Sequence, residues 1–184
     1  MWPEVDRLAL LSTHPPAQHP TFRTLTAALL AVHDLPVGDC PFDSTPDALL
    51  PDVARRLPGN EAHRIWDAGR RTWRSASDVY EELEAERPAA LREVVVHGDA
   101  SVPNVIVRDG ALAGIVDVGL LGRGDPWWDL TACLNSMARE DNDLGSVQEE
   151  FMQAYGCDRD PGRERWHGLL YRLVFDLPAG RARQ

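Results

Sequence analysis

The chain has 184 residues, 43% of them hydrophobic, and a formal net charge of -10 at pH 7, which suits one domain with a real core and leaves no room for a second full one. The acidic balance excludes broad nucleic-acid binding, because a phosphate backbone requires a positive face; it fits a cationic small substrate and equally fits plain solubility. No apolar run approaches the roughly 18 to 20 residues that span a bilayer, and no basic-then-hydrophobic leader opens the chain, so the expected location is the cytoplasm.

Residues 1–20 carry His14-Pro15-Pro16 and His19-Pro20. Each proline fixes its own φ and restrains its predecessor, so this stretch reads as an extended, flexible lead-in. From Thr21 to His33, Phe22, Leu25, Leu29 and Val32 recur at helical spacing and predict a helix with one buried stripe, ended by His33 in a structural role. Leu35 to Phe42, LPVGDCPF, is a loop, and Thr45-Pro46-Asp47 is a helix start with proline suited to the first turn. Asp52 to Trp73 reads as helix broken near Pro58-Gly59-Asn60. Ser77 to Glu86 reads as a helix whose four glutamates form a solvated face. Cys40, Cys133 and Cys157 are an odd number at wide spacing, which fits reduced thiols rather than a zinc ribbon or a disulfide framework.

A short buried strand, Glu93–Val96, then ends in His97-Gly98-Asp99. Asn104 stands five residues beyond Asp99, and Asp117-Val118-Gly119 follows a β-hairpin with Asp109-Gly110 in its turn. Transfer of a γ-phosphoryl group needs an acceptor hydroxyl held in line, a group that takes its proton, and oxygen ligands for Mg²⁺. Protein kinases supply these in the order H-R-D-x-x-x-x-N and D-F-G. The spacing here is the same, so Asp99 reads as the base and Asn104 and Asp117 as metal ligands, which the hairpin would fold back toward each other. The bland reading makes these residues ordinary turn and cap residues; four of them in kinase order, continued by GDPWWD, outweigh it. A metal-dependent hydrolase on His97, Asp99 and Asp117 would need a further His ligand at recognisable spacing, which is missing.

Gly122-Arg123-Gly124 continues the loop, and Asp125-Pro126 caps a heavily apolar helix through Met137. Two more helices, Gly145–Tyr155 and Pro161–Asp176, flank the breaker Gly156–Asp160, and residues 178–184 form a fraying tail.

The segments HGDASVPN, IVDVG, GDPWWDL and LPVGDCPF resemble the aminoglycoside phosphotransferase family, especially the branch that phosphorylates a 3'-hydroxyl. That resemblance implies an α+β, mostly helical fold: the C-terminal lobe of the protein-kinase-like fold over residues 21–177, with a short β-hairpin at the catalytic loop. It implies ATP or GTP as donor, Mg²⁺ as cofactor and a small-molecule hydroxyl, aminoglycoside-like, as acceptor; macrolide, choline and homoserine kinases share the same motifs. By the same resemblance Asp99 is the catalytic Asp, Asn104 and Asp117 bind metal, and His97 and Asp129 brace the loop. Glu61, Asp67 and Asp176 are the acidic candidates for substrate contact.

Three departures stand out. The family's β-rich N-terminal lobe with its phosphate-positioning lysine has no counterpart, and all 19 basic residues are arginine. Leu120 stands where the 3'-branch has an arginine, and NEAHRIWD replaces a denser acidic loop. The expectation is a truncated or split kinase, weak or inactive alone, completed by a separate N-terminal lobe. The competing expectation is a non-catalytic binding module or a self-associating one, since the face that lobe would cover exposes apolar surface.

Overall fold

Helical stripes and proline starts set the order of the elements in the computed structural model, which describes residues 20–89, 92–109, 111–139, 142 and 144–178. The lead-in 1–19, Gly110 of the expected turn and residues 179–184 lie outside them. Helix α1 (Pro20–His33) buries Phe22, Leu25, Leu29 and Val32, the stripe that its spacing predicts. Helix α2 (Pro46–Arg56) follows Thr45 with proline in its first turn and buries Leu49, Leu50 and Val53.

The helix expected onward to Trp73 is instead a hairpin. Strand β1 (Arg64–Asp67) pairs antiparallel with β2 (Thr72–Ser75), with Trp66 opposite Trp73. Ile65, Trp66, Thr72 and Trp73 are β-branched or aromatic and fit a pleated surface. Alternation turns Ile65 and Asp67 fully inward, while the two indoles meet on the other face 5.4 Å apart. Helix α3 (Ala76–Ala85) starts where Ser75 Oγ accepts the Asp78 N–H at 3.1 Å. Its Glu81, Glu84 and Glu86 are exposed, as a solvated face requires, but Glu82 turns inward to Arg74 and Arg165.

Strand β3 (Val94–Val96) is wholly buried and pairs antiparallel with β6 (Gly122–Gly124), a segment expected to be loop. Local sequence hides β6 because glycine is a poor strand former. A side chain at Gly122 would press on the Ser44 backbone nitrogen at 2.9 Å, so only glycine lets this strand reach β3 beneath the Asp43–Ser44 segment. Strands β4 (Val105–Arg108) and β5 (Ala111–Ile115) form the expected hairpin, with Val105 opposite Ile115 and Asp109 at φ 52 entering the turn.

Helix α4 (Pro126–Met137) is buried along its length except at Asn135. Its consecutive tryptophans face opposite ways and join two cores. Trp128 packs with Val53, Ile65, Leu83, Val96 and Leu170, and Trp127 packs with Leu25, Leu29, Met137 and Phe151. Helix α5 (Gln148–Tyr155) ends at Gly156 with φ 87, and α6 (Pro161–Asp176) closes the first core with Trp166, Leu169, Leu170 and Leu173. The thiol of Cys133 is buried in the second core; Cys40 and Cys157 are half-buried and also unpaired. No helix among the described residues is long and apolar enough to cross a membrane.

Candidate active site

The site is built where β3 runs out. After Val96 the chain turns sharply at Gly98, φ 92, where any Cβ would collide with Leu120. The turn is held from beneath by Asp129, which is fully buried. Asp129 Oδ2 accepts the His97 N–H at 2.6 Å and its Oδ1 accepts the Gly98 N–H at 2.8 Å. His33 Nε2 meets the same carboxylate at 3.1 Å, and His33 Nδ1 lies 2.7 Å from the Tyr155 hydroxyl. Trp128 Nε1–H donates to the Gly98 carbonyl at 2.6 Å. Two neighbours on α4 thus fix both faces of one peptide turn, a buried polar network with its groups paired.

His97 is oriented by its surroundings. Its Nε2 lies 2.8 Å from the Val116 carbonyl, which can only accept, so the proton is on Nε2 and Nδ1 accepts the Asp99 N–H at 3.2 Å. The imidazole therefore ties the Asp99 turn to the end of β5. The half-buried Asp99 carboxylate takes one hydrogen bond on each oxygen: Asn104 Nδ2 at 3.0 Å on Oδ2, and the Tyr171 hydroxyl at 2.7 Å on Oδ1. Burial and the bond to Asp99 push the Tyr171 phenol well above the ordinary tyrosine range. Asp99 and Tyr171 open together onto a cleft of about 390 Å³, lined also by Ser101, Asn135, Arg172 and Asp176.

The hairpin brings Asn104 and Asp117 to the same end. The Val116 N–H donates to the Asn104 carbonyl at 2.9 Å, which places the next residue, Asp117, at the open end of β4–β5. Asp117 is exposed with φ 60, a left-handed conformation that Asp tolerates. Asn104 commits Nδ2 to Asp99, so its amide oxygen is the atom left for a cation. An amide oxygen and a carboxylate are hard donors of the kind that would suit Mg²⁺. No cluster of three or more His, Cys, Asp or Glu suited to a metal occurs among the described residues, so a cation here would rest on this pair and on substrate oxygens.

The acidic substrate candidates fare differently. Asp176 lines the cleft beside Asp99, with Oδ2 paired to Arg172 at 3.2 Å. Glu61 stands exposed in the turn before β1, away from the cleft lining, and backbone hydrogen bonds hold its carboxyl below the ordinary range. Asp67 is fully buried and pairs with Arg165 at 2.7 Å and Arg74 at 3.3 Å; it lines a separate cavity of about 140 Å³ that shares Asn135 and Arg172 with the cleft. Burial, the largest influence on Asp67, would raise its pKa, but the hydrogen bonds from Arg165, the Arg70 N–H and Arg74 outweigh it and hold the carboxyl low. Tyr171 and His33 are the contacts that sequence reading missed as parts of the site. In sequence Tyr171 is one more member of an apolar helical stripe, and only the crossing of α6 over the loop brings it to Asp99.

The model of the APH phosphotransferase enzyme family matches residues 3–169. The chain belongs to this phosphotransferase family. An aminoglycoside 3'-phosphotransferase of Enterococcus faecalis is 28% identical over 147 residues, covering 78% of this chain and 53% of the relative. Among solved structures, the aminoglycoside-3'-phosphotransferase of type VIII superposes with a TM-score of 0.77 at 25% identity, over 89% of this chain and 64% of that one. An aminoglycoside phosphotransferase from Streptomyces rimosus, solved with ADP and streptomycin, gives a TM-score of 0.68 at 26% identity, over 90% of this chain and 66% of that one. The fold is therefore protein-kinase-like, with the α+β, mostly helical architecture of the C-terminal lobe. The chain spans about half the length of the curated relatives it matches.

Proposed function

We propose that this chain carries the catalytic-loop half of a phosphotransferase that moves the γ-phosphate of ATP or GTP to a hydroxyl of a small molecule of the aminoglycoside kind. The observation that carries this reading is one juxtaposition. Asp99 faces an open cleft with both carboxylate oxygens oriented, and the Val116 N–H bond to the Asn104 carbonyl brings the next residue, Asp117, to the Asn104 end of the adjoining hairpin. Asp99 takes the acceptor's proton as that oxygen bonds to phosphorus and the bond to the bridging oxygen of the nucleotide breaks. Asn104 Oδ1 and Asp117 would hold Mg²⁺, which neutralises charge on the phosphate oxygens. His97 and Asp129 keep the loop in register. The relative solved with ADP and streptomycin supports a nucleotide donor and an amino-sugar acceptor.

Transfer by the chain alone is slow. Positioning and electrostatics supply nearly all of a protein's share of phosphoryl transfer, and the chain has no lysine to place the phosphates. Leu112, Val116 and Val118 stand exposed along the hairpin next to Asp117, an apolar edge that suits a covering lobe. A lysine-bearing lobe supplied in trans should raise the rate.

Calorimetric titration with MgATP, followed by kanamycin in the same sample, tests the reading. Saturable binding by the chain and its loss in Asp117→Ala are expected; no binding to a folded chain would refute a metal-nucleotide site here.

A further inference from the structure

We propose that Tyr171 is a positioning residue that orients the Asp99 carboxylate, with a consequence for turnover that rests on the phosphotransfer reading above. Its hydroxyl donates to Asp99 Oδ1 at 2.7 Å, while Asn104 Nδ2 donates to Oδ2 at 3.0 Å. One bond on each oxygen, from two different elements, stops the carboxylate from rotating about its last torsion, since rotation would break both. The Tyr171 ring is itself held. It lies 5.9 Å from Trp128 and 4.3 Å from Phe175, centroid to centroid, and Trp128 in turn grips the Gly98 carbonyl. The base is thus located by α4 and α6 together as well as by its own loop.

The phenol stays protonated at every working pH, because burial and the neighbouring carboxylate both oppose its ionisation. Tyr171 therefore donates before, during and after transfer. The acceptor's proton passes to a free lone pair of the Asp99 carboxylate, and the tyrosine proton is never exchanged in the step. A base held within the near-attack range of its partner loses less to misalignment than one that swings.

Tyr171→Phe keeps the ring and removes only the hydroxyl. In steady-state phosphorylation of kanamycin by MgATP it should lower kcat about 10-fold, as the loss of one hydrogen bond to a charged group allows. KM for both substrates should stay within about 2-fold, the pattern expected when a change misaligns the base in the transition state and leaves substrate binding alone. In an Asp99→Asn background the same change should do nothing further. A Tyr171→Phe enzyme as fast as the parent overturns the inference. A parent chain with no transfer at all refutes the phosphotransfer reading instead, and a second measurement then decides the contact alone. With ¹³C at tyrosine Cζ, the Tyr171 resonance, identified by its disappearance in Tyr171→Phe, should move in Asp99→Asn. A resonance that stays put overturns the hydrogen bond and the inference with it.

Discussion

Gly98 and Asp117 are the two residues of the site whose backbones lie in the left-handed region, at φ 92 and φ 60. For Gly98 the neighbourhood admits nothing larger, because Leu120 occupies the Cβ position. Gly98→Ala should therefore cost ~1–2 kcal/mol of backbone strain and as much again from overpacking. Urea unfolding checks it, and a change below ~1 kcal/mol would mean that the turn relaxes freely. The residues of this turn were legible in sequence because their order is local: His97, Asp99 and Asn104 fall within eight consecutive positions. Tyr171 was not, since it lies 72 residues from Asp99 and only tertiary crossing joins them. Nor were the partners of Asp67, since Arg165 lies 98 residues further along the chain.

At the scale of elements, α4 is the frame on which the loop hangs. Asp129→Ala would leave the buried N–H groups of His97 and Gly98 and the His33 ring without their acceptor. The expected loss is ~3 kcal/mol or more, read as a lower Tm, with Asp129→Asn recovering part of it. A second frame joins β1–β2 to α6 through buried charges. Arg165 reaches Asp67 and Glu82, and Arg74 reaches Glu82 at 2.6 Å. For both acids burial pushes the pKa up most strongly, but the arginine hydrogen bonds prevail and hold both carboxyls low. Depressed carboxylates stabilise the fold above the ordinary range near pH 4, and that contribution is lost as pH falls through their lowered values. Arg165→Met should destabilise by ~2 kcal/mol at pH 7, because both acids lose one charged partner while keeping Arg74, and by less near pH 3, when both take up protons. The helix starts at Pro46, Pro126 and Pro161 were readable from a proline in the first turn, with Asp125 capping the second of them. The β1–β2 hairpin was not, because its turn passes through Arg71 at φ 51, with no glycine at that position to announce it.

At the scale of the whole molecule, the buried His167 adds a further dependence on pH. His167 on α6 is 2% exposed, neither ring nitrogen has a hydrogen-bond partner among protein atoms, and burial with Arg163 nearby lowers its pKa from 6.5 to about 3. The Asp125 carboxylate, 3.8 Å from His167, is the other charge that faces it and also pairs with Arg163 at 3.4 Å. The unfolded chain protonates this residue below about pH 6.5 while the fold resists. Stability is therefore fully present above that pH and drains away as pH falls toward 3. Burial raises the Asp125 carboxyl, which takes up a proton earlier in the fold and offsets part of the loss. Thermal melts of His167→Leu between pH 7 and pH 4 should fall less steeply than those of the parent; identical slopes would remove His167 from the account.

The central claim, that Asp99 serves as the base of a phosphoryl transfer, is tested most directly by long incubation of the folded chain with MgATP and kanamycin, followed by ³¹P NMR for a new phosphate monoester. The account predicts slow growth of that signal with the parent chain and none with Asp99→Asn of equal Tm. A monoester that forms at the same rate with Asp99→Asn, or none with the parent, would contradict it.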